Sequence, residues 1–500
     1  MTADSTPARP GRVLDNTEAM ALGSHILDLI GDRTYGVFIE HTSRAVTSVV
    51  HGHTPVRTVG DEFTIGFRSL FGSGYPLNIT TNELSAASLE RIVNRAIALT
   101  PPAPPAQDAE EPDPDAKDLF TFNKREFTPV SLWHDSTARA VESPADVDDI
   151  VATIEQAGLH GSVTAVQSAR SMLYMYKAGL TAWSHETDSE LAVTARSQDD
   201  QASGWAGIAH RDWNKVSAAR GAVAQRAIDW AQRAVHPSAV EPGRRTAILG
   251  PMAVAQLMQA LATAFDGGSV KIGASPFSLH PGRRAEQGRW SLVGERIFDA
   301  RLRFSSDPTD PDGGFPPFFE QGGMYPYGLP YPAMTWIEAG VLKELAFNTE
   351  FPGRQWSERP YSVRVEAMPG TTTSTIEEMI AACEEGIYVN RFGTLSPTNY
   401  QDGGEHTGVT RDGCFFIKNG KIDRPVKNFR ILEGPAGVMK RVQMIGTPTR
   451  VALGQPWAIS SNWVDEVPIR GRWGRWPQLP IIVPPLMVTD FNFVALADNA

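Results

Sequence analysis

From about residue 243 to residue 495 the chain is cut so often by Gly and Pro that it leaves room for few helices, and this stretch constrains the fold more than any other. An apolar strand at 246–249 leads into a helix with Pro251 in its first turn, where a missing N–H costs nothing. That helix is expected to stop at Gly267 and Gly268. Strands and turns follow. Two hairpins are expected, over 336–342 and 415–422; in the second, Asn419-Gly420 supplies the positive φ angles of a tight type I′ turn. One further helix interrupts the strands. Ser374 and Glu377 form a capping-box pair, Ile376, Met379, Ile380 and Cys383 line one face, and Gly386 ends it.

The preceding residues have a different grammar, used twice. In a unit over 16–100, a helix at 19–30 leads into strands at 35–40, 45–50 and 63–67. A closing helix at 86–99 has Ser85 as N-cap and Leu89, Ile92, Val93 and Ala96 on one face. Residues 101–124, rich in Pro and acids over 101–115, cannot build a core and read as a linker. A second unit over 125–240 repeats the order: a helix at 147–156, strands at 162–167, 171–177 and 192–198, then a long helix capped by Ser217 with Val223, Ile228 and Trp230. The expected class is α+β, with two N-terminal helix-plus-antiparallel-strand units and a large, mostly-β C-terminal domain at 243–495.

Composition narrows the function. No run of apolar residues is long enough to span a bilayer, and residues 1–16 lack the apolar core of a signal peptide, so a cytoplasmic protein is expected. Only two cysteines agree with that. A formal charge of −11 argues against a nucleic-acid surface. Arg470, Arg472 and Arg475, interleaved with Trp473 and Trp476, suit a partner surface or a packed loop better. His51-x-His53 has a spacing that can chelate from one side of a strand, but an exposed polar strand end is by far the plainer reading. His185-Glu186 starts like a zinc-peptidase motif but lacks its second His. Cys383 and Cys414 sit in apolar surroundings and read as core.

The order of landmarks in the third unit resembles a known family. Gly267-Gly268-Ser269 is followed by Ser305-Ser306-Asp307-Pro308, then Ile337-Glu338-Ala339-Gly340-Val341-Leu342. Glu377-Glu378-Met379-Ile380 and Gly386-Ile387-Tyr388 come next, then Phe416-Ile417-Lys418-Asn419-Gly420-Lys421-Ile422 with Pro425-Val426, then Met444-Ile445-Gly446. This succession resembles the C-terminal domain of TldD/PmbA proteins, once described as modulators of DNA gyrase, and among them the PmbA (TldE) kind. The resemblance implies a cytoplasmic heterodimer acting on peptides, in which a TldD-like partner holds zinc through His-Glu-x-x-x-His and a Cys near its C-terminus. Two imidazoles and a thiolate leave one position for water, and the Glu takes its proton. The matching positions here are Gln259, Ala260 and Ala264, and no Cys lies near Ala452-Leu453-Gly454-Gln455. No metal or cofactor is therefore expected in this chain.

The resemblance also places the loop around Glu405 and His406 toward the domain's cleft, where a His beside a carboxylate can act as acid or base; a solvated loop pair is the plainer reading. Two loops depart from the family pattern, 310–332 and 462–485, both rich in aromatics that suit either a recognition surface or self-packing. The leading expectation is the non-metal subunit of a zinc metallopeptidase pair. The alternatives are a subunit of a specialised amide-hydrolysing pair in natural-product biosynthesis, and a non-enzymatic homodimeric binding or scaffold protein.

Overall fold

The computed structural model describes residues 11–31, 36–51, 53, 55–68, 77–81, 84–99, 130–177, 179–284, 288–318, 330–347, 360, 362–398, 404–452 and 480–497. The expected linker at 101–124 and the Arg/Trp stretch at 470–476 lie outside them.

In chain order the N-terminal half contains α1 (Asn16–Ile30), β1 (Gly36–Val49), β2 (Val56–Arg68), β3 (Leu77–Thr81) and α2 (Ala86–Leu99). It continues with α3 (Asp135–Glu142), α4 (Asp148–Gln156), β4 (His160–Tyr176), β5 (Thr181–Arg196), β6 (Ser203–His210) and α5 (Trp213–Arg233). Helix α2 has the expected bounds, and the Ser85 hydroxyl accepts from the Ser88 N–H at 3.2 Å. The strand segments expected as pairs are single long strands: 35–40 and 45–50 merge in β1, and 162–167 and 171–177 merge in β4. Strand β6 and helix α3 were not foreseen. Asp212, not Ser217, caps α5, accepting from the Asn214 N–H at 3.0 Å. The helix begins that early because the Trp213 N–H is already held by Thr137 Oγ1, which leaves Ser217 one turn inside.

The two repeats do not stand apart. β1 pairs antiparallel with β4, so one sheet runs β3-β2-β1-β4-β5-β6 across both. Helices α1 and α2 cover one end of one face through Leu173 and Met175; α4 and α5 cover the other end through Val163 and Ala165. On the opposite face the first half of β4 is only partly covered, so that buried and half-buried residues alternate. From Ala169 onward β4 is buried on both sides, because Met172, Tyr174 and Tyr176 pack into the C-terminal core. Period-two burial becomes continuous burial where a second layer arrives.

The C-terminal half opens with β7 (Gly243–Leu249) and α6 (Pro251–Ala262), then a 3-10 turn at Thr263–Phe265 and the short α7 (Gly267–Lys271). Strands β8 (Leu302–Ser306), β9 (Met334–Glu338), β10 (Val341–Leu342) and β11 (Val363–Ala367) precede α8 (Ile376–Ala382). After α8 come β12 (Glu385–Pro397), β13 (His406–Lys418), β14 (Lys421–Pro425), β15 (Phe429–Glu433), α9 (Pro435–Val438), β16 (Val442–Ile445), β17 (Thr449–Arg450), β18 (Ile481–Val483) and β19 (Leu486–Leu496). Among the described residues one sheet runs β10-β9-β8-β11-β18-β17. In the other, β12 pairs with both β7 and β13, so β12, β7, β19, β15 and β13 close a five-strand circuit. Phe392, Phe429, Phe491 and Phe493, all fully buried, pack on one another within it.

Both hairpins form as expected. Asn419 and Gly420 take φ of 51° and 73°, and Ala339 and Gly340 take 50° and 72°. At Gly340 a Cβ would meet the Phe298 carbonyl oxygen at 2.3 Å, so the site excludes a side chain twice over. Two expectations fail by small margins. The double Gly does not stop α6: the helix ends at Ala262, and Asp266 caps a new short helix there by accepting from the Ser269 N–H at 2.7 Å. Gly267 serves close packing instead, since a Cβ would lie 2.5 Å from the Phe347 ring. The capping box is one residue on, Thr375 with Glu378, because the Ser374 N–H is taken by the Ile445 carbonyl.

Candidate functional site

Helix α6 lies at the centre of the C-terminal half. Met252, Ala253, Val254, Ala255, Leu257, Met258 and Leu261 are all buried in the main core, so the helix is apolar on nearly every side. Its one fully buried polar side chain, Gln256, sets its rotation. Strand β12 runs beside β7 only as far as Val389, opposite Leu249, where the chain leaves β7 for the helix. Past that point Gln256 takes the place of the missing neighbour: Nε2 donates to the Phe392 carbonyl and Oε1 accepts the Phe392 N–H, both at 2.9 Å. A side-chain amide thus closes a strand edge as a peptide would.

Gln259 and Ala260 follow one turn along and are half-buried, and Ala264 is buried in the turn beyond. Gln259 Oε1 is buried and accepts no hydrogen bond among the described residues. Residues 251–265 contain no His, Cys, Asp or Glu, so this helix and turn offer a zinc ion no imidazole, thiolate or carboxylate. Of the C-terminal segment where a Cys ligand was sought, Ala452 is fully buried, and 453–455 lie outside the described residues.

At the start of α6 a cleft of about 400 Å³ opens between β6 and α5 on one side and the C-terminal half on the other. Trp205, Arg226, Glu377, Tyr388, Asn390 and Arg450 bring its main polar groups. Burial pushes the Tyr388 hydroxyl up to about 12, so it remains a neutral donor, bonded to Asn390 Oδ1 at 3.3 Å. Asn390 also donates to the carbonyls of Trp205 and Asp412, and so ties the two halves together. The volume suits a small ligand.

The sequence-adjacent candidates are separated by strand alternation. His406 begins β13 and is buried, while Glu405 just before it is exposed, so His406 is not part of a solvated loop. Burial lowers the His406 pKa and keeps it neutral. Its cross-strand neighbour Glu433 accepts from Arg441 and from the Asn492 N–H instead. His185 and Glu186 divide the same way. His185 lies between Trp133 and Trp183, and Glu186 points into the junction with the C-terminal half. Cys383 and Cys414 are buried free thiols, and burial raises both, Cys414 to about 12. In the loop 310–332, the described Phe315, Phe318 and Tyr331 are core residues, and Phe318 meets the Tyr174 ring edge-on at 5.6 Å. That favours self-packing there; 319–329 and 462–479 lie outside the described residues.

That junction is a row of ion pairs. Glu186, Asp188 and Glu190 alternate along one face of β5. Glu186 is held by Arg170 (Nε at 2.8 Å) and Arg211 (Nη1 at 3.0 Å). Arg211 also donates across the junction to the Gly314 carbonyl, and Arg450 Nη2 reaches both Asp188 oxygens at 2.7 and 2.8 Å. Burial lowers the Arg44 pKa and the charge of Glu190 opposes it; Glu190 acts in the same way on Arg450. Sequence reasoning passed over this row, although alternating acids within a strand are its visible sign.

Comparison with known proteins agrees with the fold. Residues 242–494, just over half the chain, match the model of the PmbA/TldA metallopeptidase C-terminal domain. No curated protein matches the sequence. Among solved structures, a protein of Bacteroides thetaiotaomicron described as a modulator of DNA gyrase superposes with TM-score 0.67 at 15% identity, covering 97% of this chain and 100% of that one. TldE of Thermococcus kodakarensis gives 0.66 at 14% identity, covering 95% of this chain and 99% of that one. A Thermotoga maritima protein, also described as a modulator of DNA gyrase, gives the same values. At such identities the superpositions speak for the fold, and the family model speaks for descent: this chain belongs to the TldD/PmbA family.

Proposed function

We propose that this chain is the TldE/PmbA-like subunit of a two-subunit metallopeptidase, with zinc carried by a TldD-like partner and peptides or other amides as substrates. The observation that supports this is the make-up of α6 and the turn after it. In place of ligands and a general base, Gln259, Ala260 and Ala264 occupy the matching positions, and the helix around them is packed as core. The cleft at the start of α6 gives the chain a surface from which to contribute to peptide binding without contributing chemistry. An acidic chain with no described helix able to cross a membrane suits a soluble, cytoplasmic pair that binds no nucleic acid.

The test is hydrolysis of an unstructured peptide by this chain alone, by a His-Glu-x-x-x-His subunit encoded beside it, and by the two together. Zinc-dependent turnover is expected only when the TldD-like subunit is present, with this chain raising its rate. Turnover by this chain alone would sink the reading, as would a TldD-like subunit whose rate and sizing profile ignore it.

A further inference from the structure

His51, read from the sequence beside His53, has a different partner in the fold. The β1–β4 pairing carries the end of β1 to the start of β4, where His51 meets His160; their rings stack with centroids 5.0 Å apart and planes 20° apart. Asp200, in the β5–β6 hairpin, completes the group, with Oδ1 3.0 Å from His160 Nε2. One ligand atom from each of the three lies within 4.8 Å of the others. We propose that His51, His160 and Asp200 form a divalent transition-metal site of the zinc(II) type, distinct from any metal on a partner subunit.

Chemistry and backbone both favour this. Two imidazoles and a carboxylate are a donor set for a borderline cation, with the fourth position left to water. Around a tetrahedral zinc such atoms stand roughly 3.3 Å apart; His160 and Asp200 are already that close, and His51 has at most about 1.5 Å to close. His51 is exposed and the Asp200 side chain is 54% exposed, so both are free to swing, whereas the His160 side chain, at 17%, is the fixed point. Two of the three backbones adopt the left-handed region unusual for side-chain-bearing residues, φ 52° at His51 and 56° at Asp200. Each is held there by its own N–H: His51 donates to Ser162 Oγ at 3.4 Å and Asp200 to the Ser197 carbonyl at 3.0 Å. The His51 ring makes no hydrogen bond among the described residues.

The place is also separate from α6. His160 begins β4, on the stretch where one face is half-buried, and Tyr174 in the α6 core is near the far end of the same strand. At about 3.3 Å per residue this is roughly 45 Å along the strand. A metal here would clasp the end of β1, the start of β4 and the β5–β6 hairpin together.

The test uses the full chain, stripped of metal and titrated with Zn²⁺ against a chromogenic chelator. One equivalent should bind with micromolar or tighter affinity, weakened about tenfold or more in both H160A and D200N. X-ray absorption should show nitrogen and oxygen neighbours with two imidazoles and no sulfur, and added zinc should raise the melting temperature of the parent but not of H160A. Absence of stoichiometric binding would overturn the proposal. So would binding lost in H53A yet intact in H160A, which would return the site to the His51-x-His53 pair. Since these readouts are affinity and stability, their failure leaves the subunit assignment above, which rests on turnover, unaffected.

Discussion

Helix α6 and strand β5 both bury polar groups in the middle of the molecule, and they do so in opposite ways. Gln256 is neutral, and its two hydrogen bonds copy those of the strand it replaces. β5 buries Glu186 between two guanidiniums and sets further acids beside it. The first arrangement joins elements within one half of the chain, and the second joins the two halves. A neutral amide carries little desolvation cost and fixes geometry, whereas charges carry a large cost and must be complete to be tolerated. The junction should therefore be the more fragile of the two when one partner is removed.

Glu186→Ala is the sharpest way to break that contrast. It leaves Arg170 and Arg211 buried without their shared carboxylate, and should cost about 3–5 kcal/mol in urea unfolding. Burial pushes the Glu186 pKa up, but the two arginines outweigh it and hold the group below its ordinary value. Its folded pKa is thus depressed, so its contribution is complete above the unfolded value and is lost as pH falls through the folded one. Stability measured from neutral pH down through the carboxylate range should fall less steeply in E186Q; an unchanged slope would place the acid response elsewhere. Gln256→Ala should cost less, about 2–4 kcal/mol, since it strands two neutral backbone groups at ~1–2 kcal/mol each and no charge. If it costs more than E186A under the same conditions, the contrast between the two regions fails. The smallest effect separates two caps: Asp212→Ala should lose about 1 kcal/mol and Ser217→Ala about 0.5 or less, as read by the shift in melting temperature.

What the sequence revealed follows from the range of the forces involved. Ser85 before α2, the Asn419-Gly420 turn and the apolar face of α8 are local signals, and each was legible. The Thr375 cap and the start of α5 at Asp212 were misplaced because Ile445 and Thr137 decide them from a distance. Strand β6 was missed because its Gly and Ala residues carry weak strand propensity; α5 packs onto it so closely that a Cβ at Gly204 would lie 2.2 Å from the Ala227 carbonyl oxygen. For the site, the apolar make-up of α6 could be read directly. That His51 belongs with His160 could not, because only the β1–β4 register joins them.

That same register has a consequence for how the protein is made. The first repeat ends at Leu99, but the strand that completes the sheet beside β1 ends at Tyr176. At about 5–20 residues per second, the ribosome needs roughly 4–15 s to deliver it. For that interval a fourteen-residue strand edge has no partner of its own chain to meet. Its inner half carries Val37, Phe38 and Ile39, and its outer half alternates with Ser43, Arg44 and Thr47. The polar end of the strand guards the newborn chain, and the apolar end waits for β4.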